Sequence, residues 1–257
     1  DGTLELAEKL ADGDSRFRFI RNPRRYGLVG NWNNCIEQSK AEWIKFVFQD
    51  DVISPRCLEK LLAACEKEDS RFAFCERDFI FDEGFPDSFR NEFDNHRNKL
   101  KTDYGLCSRI EIDAAVRLAA RGPNHNPVGE PTVTLIKKSL IQDLGAFDES
   151  LVQLCDAEFW WRAMVNGCTA HVPEILASFR IHGKAATANN IAKNSWRLSV
   201  LDPLVMHYRL AFDPRMENGR VPQLTGKSIL RTQLGWAKSA VFASASASTK
   251  DWGQMVV

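Results

Sequence analysis

Apolar and polar residues recur along this chain with two periods, and the switches between them mark its elements. Arg16 to Arg21 (Arg-Phe-Arg-Phe-Ile-Arg) alternates every second residue, the spacing of a strand. Gly27 to Ser39 sets Leu28, Trp32, Cys35 and Ile36 on one face of a helix that opens at a glycine-containing loop. Trp43 to Phe48 reads as a buried strand, dense in Ile44, Phe46, Val47 and Phe48, and it stops at Gln49 and two adjacent carboxylates, Asp50 and Asp51. Leu58, Leu61, Leu62 and Cys65 return to helical spacing, and Phe72 to Phe81 is an aromatic-rich strand region. Strand, helix, strand, helix, strand in that order predicts βαβ units and a largely parallel sheet.

The flanking segments are read in the same way. Thr3 is placed to cap a first helix, Leu4 to Ala11. Asp82 to Tyr104 carries charge, Asn and Gly with few aliphatic residues and reads as a long loop or lid. Ile110 to Arg121 is helical and ends at Gly122-Pro123. Pro131 to Lys137 reads as a short strand and Ser139 to Leu144 as a short helix. Glu158 to Val165 is a helix with Phe159, Trp160, Ala163 and Met164 on its apolar side; of the pair Trp160-Trp161, at most one is expected to be fully core. Cys168 to Val172 and Leu176 to Ile181 are strand candidates. Ile191 to Phe212 is helical, Pro214 to Gly226 is a linker, and Lys227 to Ala247 is helix-compatible and basic. The chain therefore divides into a domain over 1–187 and a helical C-terminal extension over 188–257.

Composition narrows the function classes. Lys plus Arg and Asp plus Glu number 34 each, so no global field points to nucleic acid. Seven cysteines lack a CxxC pair or zinc-ligand spacing, which suits a reduced, cytoplasmic setting. No run approaches the ~20 apolar residues that span a bilayer. Lys227, Arg231 and Lys238 accompany Ile229, Leu230, Leu234 and Trp236, which fits either an interfacial helix at the inner face of a membrane or packing onto the preceding domain.

The chemistry concentrates where apolar strands stop at charge. In open α/β sheets ligands sit past the carboxyl ends of strands. Paired acids there suit a divalent cation carrying phosphate, although Ser54-Pro55 also allows an acidic turn ahead of a helix. Five stretches, in this order, resemble family 2 glycosyltransferases of GT-A fold: Asn22 to Asn34; Trp43 to Asp51; Gly129-Glu-Pro-Thr132 with Leu144-Gly-Ala-Phe-Asp148; Asp156-Ala-Glu-Phe-Trp-Trp-Arg162; and Phe179-Arg-Ile-His182. They cover roughly residues 1–187. Asp1-Gly2-Thr3 looks like the tail of a family motif that follows a first strand, helix and second strand. Phe48 stands where many members have an acid, and Cys155 where many have Glu.

The resemblance implies a mostly parallel GT-A-like sheet flanked by helices. It also implies inverting transfer from a nucleotide-sugar donor to a glycan or lipid-linked acceptor hydroxyl. Asp51, helped by Asp50 and with His182, is expected to hold Mg²⁺ or Mn²⁺. Asp156 is expected to be the general base, its alternative being a helix N-cap. Asn31, Asn34 and Arg180 are candidates for donor contacts. Glu158, Trp160 and His125 are candidates for the acceptor side. The competing function is a non-catalytic glycan-binding or assembly module on the same fold.

Overall fold

The computed structural model describes residues 2–82, 90–91, 103–121, 126–182 and 201–216. The candidate His125, the bulk of the loop after Asp82 and the segment Lys227 to Ala247 lie outside the described residues. In chain order the elements are α1 (Thr3–Ala11), α2 (Gly27–Gln38), β1 (Trp43–Ile44), β2 (Val52–Ile53), α3 (Cys57–Glu68), β3 (Phe72–Phe81), β4 (Arg109–Ile110), α4 (Ile112–Arg121), β5 (Thr134–Lys137), α5 (Lys138–Leu144), α6 (Cys155–Val165), β6 (Thr169–Ile181) and α7 (Asp202–Phe212). A 3₁₀ turn, Pro131–Val133, leads into β5.

The sheet runs β1-β5-β3-β6-β2, and β4 also pairs with β6. Its backbone is the long parallel ladder of β3 with β6, from Ala73–Ala170 to Phe81–Ile181. Short antiparallel pairings flank that ladder and make the sheet mixed. The first six residues of β3, Phe72 to Arg77, are all buried because both faces of the strand are covered. On one face Phe72 stacks on Trp160 of α6 and Phe74 on His171 of β6. On the other, Cys75 meets Cys57 of α3. The α/β class is as expected.

Several local expectations change. Arg16 to Arg21 forms no strand; Phe17, Phe19 and Ile20 stand exposed, because alternation makes a strand only where a neighbour accepts its ladder. The run Trp43 to Phe48 pairs only at Trp43 and Ile44, where β5 lies alongside. Residues 45–48 lead unpaired into the acidic turn. The two strand candidates after Gly167 are one strand, β6, kinked where the register skips Pro173 and Glu174. A proline has no N–H for the ladder, so the irregularity falls there. Trp160 and Trp161 are both fully buried, because α6 is enclosed on every side rather than amphipathic. All seven cysteines are free. No described helix is long and apolar enough to cross a membrane.

Candidate active site

Four pieces of chain meet beside Arg77 of β3 and the end of β6: the turn at Asp50-Asp51, the loop 126–132, the first turn of α6 and the end of β6. The acidic turn is seated by aromatic packing, with Trp32 of α2 stacked on Phe48 and in contact with Phe46 and Phe147. Phe48 is held in this aromatic cluster, and its carbonyl accepts the Asp51 N–H at 3.3 Å. Asp51 Oδ1 accepts the Arg180 backbone N–H at 3.1 Å, and Oδ2 accepts the Thr132 hydroxyl. Burial pushes the Asp51 carboxyl up, the two hydrogen bonds oppose this, and the charges of Asp50 and Glu130 add to the rise. Asp50 Oδ2 accepts from His182 Nε2 at 2.9 Å, and its carbonyl accepts from Arg180 Nε at 3.0 Å. Beneath them the Lys45 ammonium donates to the Thr132 carbonyl. Burial lowers its affinity for a proton.

Asp156 stands in the first turn of α6, where Oδ1 accepts the Ala157 N–H at 2.7 Å and Oδ2 accepts Asn126 Nδ2 at 2.9 Å. Burial first, and then the Glu130 charge, raise its pKa to about 7 against the opposing Ala157 and Asp156 N–H groups and the Arg77 charge. It is not the N-cap, which is Leu154. A carboxyl held near neutrality is poised for proton transfer at physiological pH.

The loop 126–132 joins the two acids. Asn126 is bonded to Asp156 at one end, and Thr132 to Asp51 at the other. Between them Glu130 is close enough to raise both carboxyls. Asn126 also folds the loop on itself, donating to the Gly129 carbonyl and accepting the Val128 and Gly129 N–H groups. Arg77, only 4% exposed, pairs with Glu130 at 2.6 Å and donates to the Val128 carbonyl at 3.1 Å. Gly129 is required here twice over. Its φ is +126°, and a Cβ would lie 2.3 Å from Arg77 Nη1.

Asp50, Asp51, Arg180 and His182 thus form one cluster, linked to Asp156 through this loop. Other expectations are corrected. Glu158 does not face an acceptor. It is fully buried and holds Arg162 with two bonds of 2.9 and 2.7 Å, since a carboxylate on an enclosed helix needs a cation four residues on. Trp160 is core, its Nε1 donating to the Gly129 carbonyl at 2.8 Å. Asn31 and Asn34 are tied to Asn22 at 2.7 and 2.8 Å. Asn34 lines a cavity of about 390 Å³ with Arg24, Arg25, Tyr26 and Glu149, and that cavity shares no lining residue with the acid cluster. Residues not singled out from sequence are Lys45, Arg77, Asn126, Glu130 and Thr132. A charge inside the apolar run of β3 was the available signal for Arg77, because such charges persist only when paired.

Among the described residues no three His, Cys, Asp or Glu side chains form a ready-made cation site. The donors present are nonetheless hard oxygens and an imidazole, with the partly buried Asp51 carboxyl next to Asp50 and His182, donor types that a divalent cation takes.

A mixed sheet clad by helices, with an acid turn at one strand end, is a fold of GT-A type. The Staphylococcus aureus TarS fragment 1–349, solved with UDP-GlcNAc, has the same fold at TM-score 0.63 and 16% identity, over 99% of this chain and 66% of that one. The same fragment with UDP superposes at TM-score 0.59. The model of glycosyl transferase family 2 matches residues 1–145, and the chain belongs to that family. An uncharacterized protein of Mycobacterium tuberculosis is 29% identical over 213 residues, 82% of this chain and 63% of its own length. An uncharacterized glycosyltransferase of Haemophilus influenzae is 22% identical over 191 residues, 73% of this chain and 55% of its own. The chain thus spans less than two thirds of the length of these relatives.

Proposed function

We propose that this chain is an inverting glycosyltransferase that moves a sugar from a nucleotide-sugar donor to the hydroxyl of a glycan or lipid-linked acceptor. The observation that supports it most is the loop 126–132, which couples the acid turn to Asp156. Asp156 takes the proton of the acceptor hydroxyl, oriented by Asn126 and the Ala157 N–H. Its pKa of about 7 leaves it substantially ionised at neutral pH and still basic enough to accept a proton. Attack from that side, opposite the departing diphosphate, inverts the anomeric carbon in a single displacement.

Asp51, with Asp50 and His182, would hold Mg²⁺ or Mn²⁺, which supplies Lewis-acid stabilisation of the leaving diphosphate. Arg180 fixes the turn beneath, through its backbone N–H to Asp51 and its Nε to the Asp50 carbonyl. TarS was solved with UDP-GlcNAc and UDP, which makes uridine nucleotides the first donors to test.

The test is release of nucleoside diphosphate from a panel of nucleotide sugars by the full chain with Mn²⁺, compared with Asp156→Asn. Loss of at least about 10²-fold in kcat, with nucleotide affinity kept, is expected when a general base is removed. Normal turnover by the variant would end the assignment. A second reading, a binding or assembly module that keeps the fold, is favoured by the engaged state of the acids: Asp51 is turned to Thr132 and Arg180, and Asp50 to His182. Calorimetry with UDP, with and without Mn²⁺, separates the two. Nucleotide affinity indifferent to the metal supports the module.

A further inference from the structure

The N-cap residue of α6, Leu154, makes no side-chain capping bond; inside the first turn Asp156 Oδ1 meets the Ala157 N–H, and the amides of the approach, residues 152–154, need an acceptor from elsewhere. They find one some 48 residues later in sequence. Asp202, the first residue of α7 and 1% exposed, accepts the N–H groups of Val152 at 3.0 Å, Gln153 at 2.6 Å and Leu154 at 3.1 Å. The same Leu154 offers its carbonyl to the Glu158 N–H at 2.9 Å, which opens the hydrogen-bond ladder of α6. One residue, Leu154, thus joins the Asp202 carboxylate to the turn that carries Asp156.

Two helix starts share this carboxylate. Asp202 lies in the first turn of α7 and at the entry to α6, and both present positive partial charge. That is what makes a nearly fully buried carboxyl group tolerable there. The rest of α7 and its exit bracket the same stretch of chain. Arg209 pairs with Asp148 at 2.8 Å, Arg215 donates to the Leu144 carbonyl at 3.2 Å, and Asn166 at the end of α6 donates to the Arg215 carbonyl. Met206 and Leu210 are buried between the helices.

We propose that Asp202 is a positioning residue for the reaction: from α7 it anchors the chain entering the helix of the base and fixes the register of Asp156 against Asn126. The inference rests on the function proposed for Asp156, but its structural half can be measured without any substrate. Asp202→Ala leaves three amides without their acceptor, whereas Asp202→Asn keeps one accepting oxygen.

The experiment is hydrogen exchange by mass spectrometry on the full chain, wild type against both variants, followed by turnover and UDP–Mn²⁺ calorimetry. In Asp202→Ala, exchange over residues 152–158 should accelerate by about tenfold or more while β3 and β6 stay protected, and Asp202→Asn should fall between. Turnover should drop by about tenfold or more in kcat with nucleotide affinity unchanged, partly rescued in Asp202→Asn. Unchanged exchange over 152–158, uniformly faster exchange through the whole chain, or nucleotide affinity falling in step with kcat would each overturn the proposal. Should Asp202→Ala not fold, Asp202→Asn carries the same exchange measurement and the same criteria. If the wild type shows neither turnover nor nucleotide affinity, the glycosyltransferase reading and this role in the reaction fail together. Local loss of protection would then still establish the anchor alone.

Discussion

Replacing Glu158 with Ala should destabilise the fold by about 3–5 kcal/mol, because it leaves the Arg162 guanidinium buried without its counter-charge. Both side chains are 0% exposed, and their two bonds measure 2.9 and 2.7 Å. Arg162 keeps the carbonyls of Leu144, Gly145 and Ala146, at 2.5, 2.8 and 2.9 Å. Those neutral acceptors solvate the cation but do not cancel its charge, which places the loss toward the lower end of that range. Domains of ordinary stability hold about 5–15 kcal/mol in total, so the variant remains measurable and is not necessarily unfolded. Equilibrium urea denaturation reads the change directly, and a thermal melt should fall by roughly 6–20 °C. Glu158→Gln should cost less, since the amide oxygen still accepts one guanidinium N–H. The reasoning is refuted if Glu158→Ala stays within about 1 kcal/mol of wild type while acceptor-dependent turnover collapses. That result would return Glu158 to the acceptor site.

Three further outcomes are expected. Glu130→Gln removes a like charge near Asp156 and leaves Arg77 beside it, so the acid limb of the kcat/KM pH profile should move to lower pH; an unmoved limb would show that Glu130 does not tune the base. The Asp156 pKa of about 7 lies above its value of 3.8 in the unfolded chain. The folded state therefore holds a proton that the unfolded chain releases between those values, and this stabilisation is full below the lower value and is lost as pH rises through the upper one. Uncharged Asp156→Asn should gain on wild type by on the order of 2–4 kcal/mol between about pH 5 and about pH 8, and parallel urea-stability curves would contradict this. Gly129→Ala forces a side chain into a left-handed backbone and onto Arg77 Nη1, at an expected cost of about 2–4 kcal/mol; a melt indistinguishable from wild type would show the loop to be looser than described.

The sequence by itself determined what local periodicity and residue type can encode. The helices at Gly27–Gln38 and Cys57–Glu68, the aromatic strand Phe72–Phe81, and the abrupt end of an apolar run at Asp50-Asp51 all follow from spacing and are found where spacing puts them. The order of its motifs pointed to the family; the acid pair stood out because an apolar run stops there, and Asp156 stood out only through the resemblance of its helix to the family's. Only the tertiary structure decided which polar groups meet. Glu158 and Asp156 are two residues apart on one helix, yet one is sealed against Arg162 and the other meets Asn126, a difference set by what packs on each side. Arg16 to Arg21 has strand alternation and, among the described residues, no neighbour pairing with it, while Asp202 acts on amides some 48 residues away. Hydrogen-bond partners and burial are properties of neighbours in space, and short-range pattern carries no record of them.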